Sequence, residues 1–266
     1  MRRKLILNLC AIALIAGMVS CKKETGMVED TAVSEEVIGK LRGMGFGTDN
    51  VQRVDEGYLV EGDMIVTEHM LSHPEAHGKL RIAEVEQYRT FNLVNTGGTT
   101  RTIRVGTSGS IPAALSLAID SMINRYNALN LLLRFQRVTS SPNITIKVVR
   151  TNQYIASAGF PTSGNPYNTV NYSNRYISGY SNGFITTVLA HEVGHCIGFR
   201  HTDYMNRAYS CGTGGNEGQE TTGVGAVHIP GTPTTPDAAS WMLACAGATT
   251  NRQFNANDRI ALNYLY

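Results

Sequence analysis

Residues 191–203 read His191-Glu192-Val193-Gly194-His195-Cys196-Ile197-Gly198-Phe199-Arg200-His201-Thr202-Asp203. On a helix, His191 and His195 stand four residues apart, so both imidazoles project from one face toward a common point. Glu192 is one step round and can reach a water at that point without being a ligand. Gly198 can take the left-handed conformation that ends a helix without steric cost, and the chain then turns back to deliver His201. Three neutral histidines with a fourth position left open have the chemistry of a catalytic zinc site, whereas a structural zinc is closed by four protein ligands. The spacing therefore predicts one catalytic Zn2+ ion on His191, His195 and His201, with Glu192 beside it. The bland alternative is a helix with surface histidines next to a chance Glu. HExxH does recur by accident, but Gly198 and His201 add two chemically demanding positions at the right spacing. The context agrees: residues 184–197 (FITTVLAHEVGHCI) carry apolar side chains at helical spacing, after the start signal Ser181-Asn182-Gly183.

The extended motif H-E-x-x-H-x-x-G-x-x-H resembles that of the metzincin clan of zinc endopeptidases. HEVGH followed by CIGFRHTD is similar to the bacterial dual-action HEIGH metallopeptidases, relatives of myxobacterial protease B. The resemblance implies an α+β fold: a twisted mixed sheet with helices, an active-site helix, an irregular lower subdomain and a C-terminal helix, preceded by a small prosegment. It also implies peptide-bond hydrolysis, with Glu192 as general base and acid and a protein or peptide as substrate. Ser240-Trp241-Met242, 41 residues after His201, resembles the clan's Met-turn, in which the methionine packs beneath the three histidines. The astacin and serralysin branches carry a Tyr two residues past that Met; Ala244 stands here, so a tyrosine donor does not carry over. Asp203, two residues past His201, is read as a local hydrogen-bonding group that orients the loop or a histidine rather than as a ligand.

The N-terminus carries an export reading. Met1-Arg-Arg-Lys4 is a basic start, Leu5–Val19 an apolar run too short for a comfortable membrane span, and the run stops at Ser20-Cys21. This is similar to a bacterial lipoprotein signal, in which cleavage leaves Cys21 lipidated and membrane-anchored; an ordinary secretory signal with an incidental cysteine is the alternative. Localisation in the cell envelope, or secretion after processing, follows. Loss of residues 1–20 removes Arg2, Arg3 and Lys4 and no acidic residue, taking the formal net charge from +2 to −1. With no basic excess, nucleic acid is not an expected partner, and the chain is expected to act as a monomer.

The organisation expected is a signal peptide at 1–20, anchor, prosegment and linker at 21–98, and a catalytic domain at 99–266, about 168 residues and sufficient for one core. Thr31–Gly43 reads as a short helix, and Val51–Thr67 as two short strands broken at Gly62-Asp63. Val60-Glu61-Gly62-Asp63 resembles the F-x-G-D prosegment motif of astacin-like metzincins, with Val60 in place of Phe. There the Asp occupies the open position on zinc and keeps the precursor silent, so Asp63 is the expected latency ligand. The competing reading is a plain hairpin turn. His69, His73 and His77 are read as a solvated linker, because Pro74 breaks their helical alignment, and the polar strip 68–100 is the expected boundary and region of maturation cleavage.

Farther on, 102–105, 132–138, 144–149 and 169–172 read as strands. Ile111–Leu129 reads as a helix capped by Ser110, and 255–266 as a closing helix. An exposed edge strand that pairs with substrate is expected in the 158–172 stretch. Once Cys10 leaves and Cys21 is lipidated, Cys196, Cys211 and Cys245 allow one disulfide. Cys211–Cys245, flanking the irregular loop, is favoured, with Cys196 buried and free in the helix. Two other functions stand against the endopeptidase: a zinc hydrolase of a non-protein substrate, and a non-catalytic surface binding module. An intact Glu192 speaks against the binder, which has no need of a base.

Overall fold

The computed structural model describes residues 32–72, 87–218 and 224–266. The signal run, Cys21, His73 and His77 lie outside these residues. Among the described residues no helix is long and apolar enough to cross a membrane.

The first stretch begins with α1 (Glu35–Gly43), whose cap Ser34 accepts from the Val37 amide. Three strands then form an antiparallel meander: β1 (Gln52–Val54), β2 (Gly57–Val60) and β3 (Met64–Val66). Two strands were expected from the sequence. The extra break falls at Asp55-Glu56, where two acidic residues before a glycine favour a turn over continued pairing. The break at Glu61–Asp63 stands where the sequence places it. A short helix α2 (Glu68–Ser72), which contains His69, follows. Leu41, Tyr58, Val60, Met64 and Val66 bury one another, and Phe46 stacks on Phe160 with ring centroids 6.1 Å apart.

The expected linker fails over 87–94. Tyr88–Arg89 forms β4, with Gln87, Tyr88, Thr90 and Val94 all buried. The strip looked polar because its partners supply the apolar surface and the hydrogen bonds from far along the chain. The Gln87 amide donates to Ser240 Oγ (3.0 Å) and Asp258 Oδ1 (2.9 Å), and the Tyr88 ring meets Tyr204 edge-on at 4.2 Å.

Next come β5 (Arg101–Ser108), α3 (Ala113–Asn127), β6 (Leu133–Arg137), β7 (Ile144–Val149), β8 (Ala156–Ser157), β9 (Thr169–Ser173) and α4 (Asn182–Ile197). The sheet order is β6-β5-β7-β9-β8, parallel except for the antiparallel edge strand β8. Leu115, Ile119, Met122 and Tyr126 recur at helical spacing on α3 and are fully buried, each contributing about 1.5–3 kcal/mol by leaving water. Ser110 does not cap α3. The residue before a proline is pushed out of the helical region, so the helix starts only after Pro112, which occupies the cap without a side-chain bond. Tyr126 donates to the Ala190 carbonyl at 2.8 Å, tying α3 to α4.

Beyond α4 the regular elements are short: β10 (Phe199–Arg200), α5 (Ala208–Cys211), β11 (Val227–His228) and the closing helix α6 (Ala256–Leu265). β4 lies between β10 and β11, antiparallel to both. Asn255 and Asp258 form a reciprocal capping box at the start of α6. Cys211 and Cys245 are joined, Cα to Cα 5.2 Å, and Cys196 is buried and free.

Candidate metal centre

Helix α4 is apolar nearly all round and buried from Phe184 to Ile197, so it runs through the core rather than along its surface. Ser181 opens it by accepting from the Phe184 amide at 3.1 Å. Gly198 closes it at φ +113°, where a Cβ would stand 2.7 Å from Leu93 Cδ2 and 2.9 Å from the Asn92 carbonyl. Only glycine satisfies both the backbone angle and the close approach. The reversal lays β10 beside β4 and brings His201 back over the helix.

The three Nε2 atoms converge: His191 to His195 is 3.1 Å, and His201 is 3.2 Å from each. Each outer nitrogen has its own acceptor. His191 Nδ1 is 2.9 Å from the Trp241 carbonyl, His195 Nδ1 is 2.8 Å from the Phe199 carbonyl, and His201 Nδ1 is 2.9 Å from both Glu217 oxygens. Protons held at the three Nδ1 positions leave three Nε2 lone pairs facing one another, which is repulsive unless a cation sits between them. Tetrahedral zinc with bonds of 2.0–2.1 Å sets its nitrogen ligands about 3.3 Å apart. The donor set and spacing fit that ion.

Asp63 reaches the same point from the β2–β3 turn. Its Oδ2 is 3.0 Å from His201 Nε2 and 3.5 Å from His191 Nε2, so the four side chains form one group of metal-type donors. The other oxygen, Oδ1, is buried without a hydrogen bond, as is Oε2 of Glu192. Burial works against a charge on Asp63, but the three histidines hold its pKa well below the usual carboxylate range. Burial, then the nearby Asp63 charge, pushes Glu192 well above that range. Burial and the neighbouring histidines hold His195 well below the usual value, keeping it neutral as a ligand must be.

The backbone around Asp63 also joins the main sheet. The Ala158 amide donates to the Asp63 carbonyl (2.9 Å) and the Ile65 amide to the Ala158 carbonyl (2.7 Å), a parallel bridge just beyond the edge strand β8. The exposed edge expected at 158–172 thus begins at Ala156, and Asp63–Ile65 lies along it.

Met242 is fully buried beneath α4; its carbonyl accepts from the Thr202 amide at 2.9 Å. Among the described residues Asp203 hydrogen-bonds to no histidine. It accepts from the Ala244 amide (3.0 Å) and Ser210 Oγ (2.6 Å), orienting the loop that the Cys211–Cys245 bond closes.

Sequence reading missed Glu217, Arg200 and Arg207. Arg207 donates to Glu217 Oε1 at 2.7 Å, and the fully buried Arg200 donates to the Glu217 carbonyl at 2.9 Å. Burial works against the Glu217 charge, but His201 and the two guanidiniums hold its pKa below the usual value. No local pattern marks these residues: Glu217 lies 16 positions from His201 in an irregular, glycine-rich stretch.

A family profile described as dual-action HEIGH metallo-peptidase matches residues 58–266. No curated protein matches significantly. Solved structures similar to this chain include myroilysin, 15% identical, with 66% of this chain and 96% of that chain covered and a TM-score of 0.45. They also include high choriolytic enzyme 1, a hatching enzyme zinc-protease of the medaka fish Oryzias latipes, 15% identical, with 66% and 94% covered and a TM-score of 0.40.

Proposed function

We propose, from the premise that the chain belongs to the dual-action HEIGH metallopeptidases and is therefore a zinc metallopeptidase of protein or peptide substrates, that it is an exported endopeptidase made as a latent precursor. The observation that carries this reading is the convergence of His191, His195 and His201 with Asp63 on the open side, next to the buried Oε2 of Glu192, which has no hydrogen bond.

His191, His195 and His201 would hold the ion through Nε2. When bound, zinc supplies a Lewis acid for the scissile carbonyl and the attacking water. Glu192 shares a cavity of about 270 Å³ with His191. Its Oε2 takes the proton of the attacking water and later returns it to the departing amine. The Trp241 and Phe199 carbonyls and the Glu217 carboxylate hold the imidazoles in one tautomer and orientation while this happens.

In the precursor, Asp63 stands where the substrate carbonyl and the water have to come, and Asp63–Ile65 takes the sheet edge a substrate strand would pair with. Latency therefore has two parts, a carboxylate at the metal and backbone on the edge. Removal of this segment has to stop before Gln87, because the side chains that follow hold β4 in the enzyme's own core. The basic start, the apolar run and Cys21 support export with a lipid anchor in the cell envelope.

Glu192→Gln tests the mechanism. Casein cleavage by the processed enzyme is expected to fall by a factor on the order of 10²–10⁴ with bound zinc unchanged. Turnover surviving the change with zinc in place would remove Glu192 from the mechanism.

A further inference from the structure

Arg200 is a fully buried cation held by a group the precursor is proposed to discard. Its Nη2 donates to Glu61 Oε1 at 3.0 Å and to the Glu217 carbonyl at 2.9 Å, while its Nε and Nη1 have no hydrogen-bond partner. Its guanidinium carbon lies 5.6 Å from the Phe160 ring centre, and its place on β10, one residue before His201, fixes it beside the metal centre. Glu61 is strained to reach it. Its φ is +54°, a left-handed conformation uncommon for a glutamate, and its carboxylate is held by Arg200 and by the Gly47 amide at 2.9 Å. A second guanidinium, that of Arg207, donates to the Glu61 carbonyl and to Glu217 Oε1.

The charges do not balance once Glu61 is gone. Arg200 and Arg207 then face a single carboxylate, Glu217, whose oxygens are already committed to His201 Nδ1 at 2.9 Å and to Arg207 at 2.7 Å. The nearer Glu217 oxygen is 3.9 Å from Arg200. Closing that gap would draw Glu217 off the ligand it orients. A buried guanidinium with unpaired donors is costly to leave alone and is matched by a planar carboxylate.

We infer that Arg200, with Arg207 beside it, is a recognition site for a substrate carboxylate: an Asp or Glu side chain of the substrate takes the place that Glu61 fills in the precursor. The site lies on the Glu217 side of the cleft, next to a cavity of about 350 Å³ lined in part by Glu61, Arg207 and Glu217. It is separate from the cavity shared by His191 and Glu192, although Gly62 and Arg207 border both. This inference rests on the reading of residues 61–63 as a removable plug, and it makes the enzyme selective for acidic sequences near the cleaved bond.

The test uses residues 22–266, activated by limited proteolysis, and pairs of peptides that differ only by Glu or Gln at one position within four residues of the cleaved bond. At one position the Glu peptide is expected to show a kcat/KM roughly tenfold or more above its Gln partner, chiefly through KM. That ratio should fall toward one in Arg200→Gln and be restored only in part in Arg200→Lys, which keeps the charge but not the planar fork. If no position favours Glu in the wild-type enzyme, the recognition site does not exist, and this holds even where Arg200→Gln fails to fold. Activity of the wild-type chain before and after cutting reports on latency separately. A chain as active uncut as cut overturns the plug, whereas a latent one alongside indifferent Glu and Gln peptides overturns the carboxylate site alone.

Discussion

Gly194 and Met242 touch where no side chain fits between them: a Cβ built on Gly194 would lie 2.5 Å from Met242 Sδ and 3.1 Å from Trp241 Nε1. The turn that carries Met242 therefore docks on α4 one residue before His195, and the Trp241 carbonyl of the same turn orients His191. Gly194→Ala would push the turn away from the helix and loosen that histidine. Zinc retention in a chelator competition is expected to weaken by roughly 10–100-fold, with a loss of about 1–3 kcal/mol in stability from overpacking. Unchanged retention would show that the turn gives way without disturbing the ligand.

Asp63 Oδ2 lies 3.0 Å from His201 Nε2, the position of the proposed latency ligand. Asp63→Ala is expected to give an uncut chain that cleaves casein, with activity rising little on limited proteolysis, whereas the wild-type precursor gains most of its activity at that step. The comparison of activity before and after proteolysis is the measurement. A mutant precursor that needs cutting as much as wild type would leave the sheet-edge contact, and not the carboxylate, as the block.

The position of β4 sets where the enzyme can begin. A chain starting at residue 99 lacks Gln87, the strand between β10 and β11, and the Val94 amide that donates to the Tyr266 hydroxyl at 3.3 Å. Residues 87–266 are expected to unfold cooperatively in urea, while 99–266 is expected to be insoluble or to unfold without a sharp transition. Near-ultraviolet circular dichroism and urea titration decide it. A cooperative 99–266 would return 87–98 to the role of linker.

Burial pushes the pKa of Asp258 up to about 6, although Gln87, Ser240 and the Trp241 and Asn255 amides all donate to it. In the unfolded chain it titrates near 4. Between these values the folded state binds more protons than the unfolded one. The contribution is therefore fully present below about pH 4 and is lost as pH rises through about 6. Two pKa units correspond to about 3 kcal/mol at most. Urea unfolding of wild type and Asp258→Asn at pH 4, 5, 6 and 7 is expected to show the wild type losing stability relative to the variant across that window. A constant difference would mean that the four donors keep Asp258 charged throughout.

The reach of the sequence can be seen residue by residue. Four-residue spacing, a glycine at the end of the periodic run and a serine before it were enough to place His191, His195 and Glu192 on one helix and to return His201, because each step depends on neighbours in the chain. The same local rules located α1, α6 and four strands of the main sheet, β5, β6, β7 and β9, but not the two-residue edge strand β8. They erred at Ser110, where Pro112 delays the helix, and at Asp55-Glu56, where a turn divides one expected strand into two. They failed outright over 87–94, where the buried Gln87 amide donates to Ser240 and Asp258, some 150 positions away or more.

Local order along the chain by itself determined the converging histidine triad, because helical periodicity and a left-handed glycine are properties of a few consecutive residues. Only the tertiary structure decided which groups hold the outer nitrogens, which carboxylate meets Arg200, and that Asp63 rather than solvent faces the histidines. Apart from His195 and the Phe199 carbonyl, four residues apart, those pairings join segments from 16 to 139 residues apart. They are set by how the sheets and helices pack, and that packing leaves no periodic trace in the residues it brings together.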